Sequence, residues 1–353
     1  MKPLLVFIVA AWPGAAMIAG AAEALSHTNL LQFRAPDGSI RNVRSTNDWN
    51  LRRQSILQSM QQVMGRFPGT EKRCPLDVRV EEEVDCGDYV RRFLSYSSEP
   101  GSRVPAYLLV PKQALNSSRR FPAILTLHQT HALGQKVVVG LGNSSNDTYG
   151  VELVRRGYVC IAPPYPQLAN YYPDLKALGY ESGTMKAIWD NVRALDLLES
   201  LPFVQRGRFG AIGHSLGGHN SIYTAVFDER IKVIVSSCGF DSYRDYKDGN
   251  ITGWTSDRYM PRLKTYAPDR YPFDFHEMIG ALAPRAVFVN APLGDSNFKW
   301  RSVDAVVASA GAIFNLYSVP RNVQVEHPDC EHSFPKKMRE KAYGVLDGGL
   351  KRQ

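Results

Sequence analysis

Residues 208–227 read RFGAIGHSLGGHNSIYTAVF. Phe209 to Ile212 form a short apolar run of the kind found in strands buried on both faces. Gly213-His214-Ser215-Leu216-Gly217 follows, extended by Gly218, and a helical pattern runs from Leu216 to Phe227. The five-residue G-x-S-x-G pattern is weak alone; strand before and helix after give it meaning. So sharp a turn forces Ser215 into strained backbone angles, and the flanking glycines let neighbouring segments close around it. The hydroxyl then projects at a sheet's C-terminal edge, beside a helix N-terminus that favours negative charge. Ser215 is the candidate nucleophile.

The same rhythm continues on both sides. Ala123–Leu127, Tyr158–Ala162, Ile231–Ser236, Ala286–Asn290 and Asn322–Val325 read as strands. Helices are predicted over 146–156, 184–198, 303–314 and 336–346, with Met185, Ile188, Val192, Leu195 and Leu198 forming one stripe. Alternation of this kind predicts an α/β fold: a mostly parallel twisted sheet with helices on both faces. Upstream, Leu76–Val84, Tyr89–Tyr96 and Val104–Val110, separated by turn residues, predict antiparallel N-terminal strands. Residues 241–277 break the rhythm. They are rich in Tyr, Asp and Pro, and predict a lid-like insertion over the sheet's C-terminal edge, whose mobility the sequence leaves open.

A serine hydroxyl needs a base. His332 falls between the last strand and the last helix, in Cys330-Glu331-His332-Ser333-Phe334-Pro335, and is the candidate; His327, at the strand's end, reads as structural. Asp295 follows the Ala286–Asn290 strand and is the candidate acid, with Asp304 and Asp329 as rivals. The developing oxyanion needs donors. The backbone N–H groups of Leu216 and Gln129 are the candidates, Thr130 standing next to Gln129. His128 can equally be a buried structural histidine, and His214 and His219, which flank the turn, read as supporting the site from behind or as packing. Tyr165, Trp254 and Trp300 are candidate substrate-binding aromatics. No cysteine or histidine spacing suits zinc, and the chemistry requires no cofactor.

The chain has 353 residues, 44% hydrophobic and 22% charged, which suits one large domain. Lys2, the apolar run Leu4–Ala11 and Ala19-Gly20-Ala21 read as a secretory signal over 1–21, predicting a secreted or periplasmic protein without stable membrane insertion once it is removed. Residues 22–75 read as an N-terminal extension with a helix over 48–64 capped by Asp48, and residues 76–353 as the catalytic domain. The formal charge of +8 is scattered, with no basic helix carrying interleaved aromatics, so nucleic acid is not expected as a partner. Export permits disulfides. Cys74 with Cys86, and Cys238 with Cys330, are the pairings considered, and Cys160 reads as a buried free thiol. Nothing in the sequence specifies an oligomeric state.

Over roughly residues 104–350 the chain resembles the α/β-hydrolase superfamily, especially exported dienelactone-hydrolase-like and acetyl-xylan-esterase-like members. The resemblance rests on HQT at His128, RGYVCIAPPYP from Arg156, WDNVRALDLLESLPFV from Trp189, IGHSLGGHNS from Ile212 and CEHSFP from Cys330. It implies a Ser215–Asp295–His332 triad and a serine esterase acting on a small-molecule or polysaccharide ester. Two departures stand out: Pro164 where many relatives have Asp, and Ser215 where dienelactone hydrolases proper have cysteine. The second favours ordinary ester chemistry. A prolyl-oligopeptidase-like peptidase shares fold and triad, but 353 residues leave no room for its usual propeller. A catalytically inactive binding protein is the remaining alternative; it would have no need of a complete triad.

Overall fold

The structure, a computed structural model, describes residues 25–142 and 147–351. The signal over 1–21 and the predicted helix start at residue 146 lie outside the described residues. Two short strands, β1 (Gln32–Arg34) and β2 (Ile40–Asn42), form a small antiparallel ladder of their own. The main sheet comprises β3 (Arg79–Asp85), β4 (Tyr89–Glu99), β5 (Ser102–Pro111), β6 (Phe121–Leu127), β7 (Val159–Ala162), β8 (Val204–His214), β9 (Ile231–Ser237), β10 (Ala286–Asn290) and β11 (Val323–Glu326). Its order is β11-β10-β9-β8-β6-β7-β5-β4-β3. Strands β6 to β11 run parallel, while β3, β4 and β5 pair antiparallel, as the sequence predicts. After β6 the chain places β7 on one side and β8 on the other. That reversal opens a crevice at the C-terminal ends of β6 and β8, where ligands of such sheets bind.

The central strands are continuously apolar because both faces are covered. Ala123, Leu125 and Leu127 of β6 and Val287 and Val289 of β10 enter one core, with α1 (Thr46–Met64), α4 (Gly183–Ser200), α5 (Leu216–Phe227), α6 (Phe275–Leu282) and α7 (Trp300–Leu316). Ile124, Ile212, Val233, Val235 and Phe288 enter the other, under α3 (Tyr149–Arg155) and α8 (Lys336–Leu350). A short α2 (Lys112–Leu115) follows β5. Each large side chain so buried contributes about 1.5–3 kcal/mol. Edge strand β3 is exposed along nearly its whole length, and its Arg79, Glu81, Glu82, Glu83 and Asp85 discourage pairing with another chain.

Four details differ from expectation. Ser45, not Asp48, caps α1: Ser45 Oγ accepts from Asp48 N–H at 3.2 Å, and Asp48 Oδ2 accepts from Ser45 N–H at 3.0 Å. Helix α4 is buried almost all round rather than along one stripe. Its Lys186 is fully buried and paired with Asp190 and Glu99, so polar residues the periodicity assigns to solvent form an internal ion network. Helix α6 starts inside the predicted insertion, where Asp274 and Glu277 make a capping box. All five cysteines are free thiols, so neither of the pairings left open, Cys74 with Cys86 and Cys238 with Cys330, forms. Glu277 also binds Arg52 of α1 and His27, tying the N-terminal segment to α6.

Candidate active site

Strand β8 ends at His214 and α5 starts at Leu216, so the whole turn falls on Ser215, at φ 53° and ψ −117°. The Ser215 N–H donates to Ser237 C=O at 2.7 Å, which anchors the strained residue to the end of β9. Close approach explains the glycines. A β-carbon on Gly213 would lie 2.1 Å from Gly217 C, and one on Gly217 would lie 1.9 Å from Leu127 O. The first turn of α5 is thus pressed against the end of β6. Leu216 N–H, as the first helical amide, has no intrahelical acceptor.

The loop after β6 carries the second candidate donor, the Gln129 N–H. His128 Nδ1 lies 2.7 Å from Gln129 O, and its Nε2 accepts from Tyr165 N–H at 2.9 Å. An Nδ1–H tautomer satisfies both bonds. Burial, against the pull of Gln129 O, lowers this imidazole to about 4, so it stays neutral. His128 is a structural pin, holding the Gln129 loop to the start of the 165 segment.

Asp295 and His332 meet across loops after β10 and β11. His332 Nδ1 lies 2.9 Å from Asp295 Oδ1 and 3.0 Å from Oδ2. Asp295 Oδ1 also accepts from the N–H groups of Asn297 at 2.7 Å and Phe298 at 3.1 Å. Burial alone would raise this carboxyl; the His332 hydrogen bond and charge, with the two amides, hold it below the usual range. The His332 ring lies 4.9 Å from that of His214, the neighbour of Ser215, and 6.0 Å from that of Phe298. The rivals go elsewhere: Asp304 binds His327 Nε2 at 2.8 Å, and Asp329 is exposed. His327, whose Nδ1 also meets Ala291 O at 2.7 Å, is structural.

A cavity of about 80 Å³ opens beside Ser215, lined also by Thr130, Leu216, His219, Trp254, Tyr259 and Phe298. The 241–277 insertion supplies the wall containing Trp254. That insertion is packed down: Gly183 N–H donates to Asp257 O at 2.9 Å, and Tyr243, Met260, Leu263 and Phe273 are fully buried. His219 is buried with neither ring nitrogen bonded among the described residues, and burial drives it to about 3. Trp254 Nε1, 3% exposed as a residue, also has no partner among the described residues; the two ring centroids are 4.9 Å apart. Of the two readings open for His219, support of the site or packing, its place in the cavity lining with both ring nitrogens unbonded fits the first.

Two of the aromatic candidates are not on the cavity wall. Tyr165 lies behind it, its hydroxyl bonded to Thr184 Oγ1 at 3.0 Å. Trp300 starts α7 and packs on His327 and Arg301. Sequence reading also missed a supporting network. Asn290 Nδ2 donates to Ser237 Oγ at 2.8 Å and Ser333 O at 3.0 Å, and Ser237 Oγ lies 3.0 Å from His214 Nδ1. The available signal was a polar residue ending each apolar strand. A larger cavity, about 1180 Å³, lies at the opposite strand ends, lined by Arg208, Lys232, Arg285, Arg321 and Lys341; it contains none of these groups.

A family model described as "Glucuronyl esterase, fungi" matches residues 167–318, under half of the chain. YtaP of Bacillus subtilis (strain 168), whose name calls it a hydrolase, is 27% identical over 195 residues, covering 52% of this chain. The match spans 62% of YtaP's length. Among solved structures, a glucuronoyl esterase from Solibacter usitatus superposes with TM-score 0.72 at 18% identity, covering 93% of this chain and 99% of that one. A carbohydrate esterase family 15 glucuronoyl esterase from Caldicellulosiruptor kristjansonii gives 0.67 at 19%, covering 95% and 92%. A glucuronoyl esterase from Sporotrichum thermophile gives 0.65 at 17%, covering 94% and 91%. The chain has the α/β-hydrolase fold of these esterases, as the sequence resemblance implied.

Proposed function

We propose that this chain is a serine hydrolase that cleaves carboxylic esters on polysaccharide by two-step acyl transfer, and that its acyl group is a uronoyl sugar. The observation that carries the reading is the Asp295–His332 pair, whose imidazole lies 4.9 Å from the ring of His214, the sequence neighbour of a serine held at φ 53°. In it, His332 Nε2 takes the Ser215 proton as Oγ attacks the ester carbonyl. Its Nδ1–H stays on Asp295, whose ionised carboxylate stabilises the imidazolium. The N–H groups of Leu216 and Gln129 receive the oxyanion. His332 then protonates the leaving alcohol, and water attacks the acyl-enzyme by the same route. With His128, His214 and His219 neutral, no second imidazolium opposes the charge on His332.

His219 and the Trp254 N–H favour a uronoyl over an acetyl group, because a buried unbonded polar group costs free energy that a sugar hydroxyl would relieve and a methyl would not. The esterase matches agree with this choice. The reading divides the chain into signal (1–21), extension (22–75) and catalytic domain (76–353), working outside the cytoplasm. Among the described residues no helix is long and apolar enough to cross a membrane. Turnover of benzyl glucuronate, p-nitrophenyl acetate and acetylated xylan tests the proposal. We expect the uronate ester to be preferred, and Trp254→Phe to raise its KM without changing that of the acetate. Preference for acetate, indifferent to Trp254→Phe, would overturn the uronoyl assignment. Failure to turn over any ester would overturn the hydrolase reading itself.

A further inference from the structure

Three side chains offering sulfur, nitrogen and oxygen meet at the foot of the histidine loop. Cys238 Sγ, an Asp295 carboxylate oxygen and a His332 ring nitrogen all lie within 4.8 Å of one another. Cys238 is the first residue past β9, at φ 49°, and its N–H donates to Asn290 O at 2.8 Å. Its Sγ lies 3.5 Å from Ser333 O, so the thiol is held against the histidine loop rather than free to turn away. Residues 238, 295 and 332 are far apart in sequence, so no linear spacing announces the cluster.

We propose that Cys238, Asp295 and His332 form a binding site for a thiophilic divalent cation, Zn2+ or Cd2+, and that its occupation shuts the hydrolase off. The donor set of thiolate, imidazole and carboxylate selects such ions over Mg2+ or Ca2+. Tetrahedral zinc, with bonds of about 2.3 Å to sulfur and 2.0–2.2 Å to nitrogen and oxygen, brings ligand atoms to roughly 3.3–3.7 Å apart. His332 Nδ1 and the Asp295 carboxylate, now 2.9 Å apart, must part by roughly 0.4 Å to admit the ion, while Cys238 Sγ, within 4.8 Å of both, closes in by side-chain rotation. The His332 side chain is 26% exposed, which gives the ion an entry and a water its fourth position.

Inhibition follows from where one proton goes. In the proposed reaction the His332 proton on Nδ1 faces Asp295, and Nε2 is the atom that accepts from Ser215. A cation bound at Nδ1 takes that place. The imidazole keeps one proton, now on Nε2, and the thiol releases its own to solvent. Nε2–H cannot accept a second proton while the metal holds Nδ1, so Ser215 loses its base. This consequence rests on reading His332 as the base; the metal site does not.

Cd2+ titration of the whole protein, following the thiolate-to-Cd2+ charge-transfer absorption and ester hydrolysis together, tests both parts. Wild type should develop the band and lose hydrolysis over the same concentration range. Cys238→Ala should hydrolyse normally in metal-free buffer, show no band there, and tolerate at least about tenfold more Cd2+, the loss of affinity expected from removing a ligand. Cys330→Ala should behave as wild type. Equal inhibition of wild type and Cys238→Ala, or a band that survives Cys238→Ala, would overturn the site. A band dependent on Cys238 with hydrolysis unaffected would uphold the site and overturn its inhibitory role. If no ester is turned over, the band alone decides the site.

Discussion

Gly217 has no room for a β-carbon: the nearest atom would be the Leu127 carbonyl oxygen at 1.9 Å, itself fixed by the Tyr149 hydroxyl. Gly217→Ala must therefore push α5 off β6. The expected cost is about 3 kcal/mol, the upper range for overpacking, read as a lowered urea midpoint. His128 makes a different prediction. Removing its ring leaves the buried Tyr165 N–H and Gln129 C=O without their partner, so His128→Ala should cost about 1–3 kcal/mol. It should also lower kcat more than it raises KM, because the loop bearing the Gln129 amide is released while the cavity stays intact. At this scale the sequence was informative about Ser215, Asp295 and His332, since each follows a strand in the order the fold requires. It was silent on Asn290 and Ser237, and read Cys238 only as a possible disulfide partner; the roles of all three exist only once β9 and β10 lie side by side.

Among the elements, the 241–277 insertion is joined to α7 through Asp241, whose Oδ2 accepts from Lys299 N–H at 3.0 Å while Oδ1 has no partner among the described residues. Burial, with the charges of Asp245 and Asp274, raises this carboxyl to about 7 despite the Lys299 amide. An unfolded aspartate loses its proton near pH 4, so between about pH 4 and 7 the folded chain keeps a proton that the unfolded chain has released. Stability must fall as pH rises through that window and level off above it. Asp241→Asn should match wild type near pH 4 and exceed it near pH 8, by up to about 4 kcal/mol, in thermal or urea unfolding. The Arg52–Glu277 pair, both side chains nearly buried, ties α1 to α6. Arg52→Ala leaves the buried carboxylate with only His27 and the Asp274 N–H as partners among the described residues, at a cost of about 3 kcal/mol or more. The strands were legible because two-sided burial writes them as unbroken apolar runs. Helix α6 was not, because its short apolar stretch follows a polar, aromatic insertion; the Asp274…Glu277 capping box was the overlooked signal. Helix α4 looked amphipathic because Lys186 and Asp190 read as solvent-facing, whereas they satisfy each other inside.

Across the whole molecule, the sheet order places the ends of β6, β8, β10 and β11 along one edge, and each supplies part of the site. The Gln129 loop, Ser215, Asp295 and His332 come from four loops that only the reversal at β6 brings together. The 241–277 insertion lays aromatic side chains over this edge, while the opposite strand ends carry the large basic cavity. Alternation of strand and helix made the architecture readable from sequence. Which aromatics face the site was not readable, since Tyr165, Trp254 and Trp300 are equivalent as residue types and differ only in where their backbones lie. The central claim is that Ser215 is a nucleophile activated by His332. Its most direct test is mass spectrometry of the protein after treatment with a fluorophosphonate, mapping the adduct to a residue. A single adduct on Ser215, absent in Ser215→Ala and strongly slowed in His332→Ala, is the predicted result; an unlabelled wild type, or labelling that persists in Ser215→Ala, would contradict it.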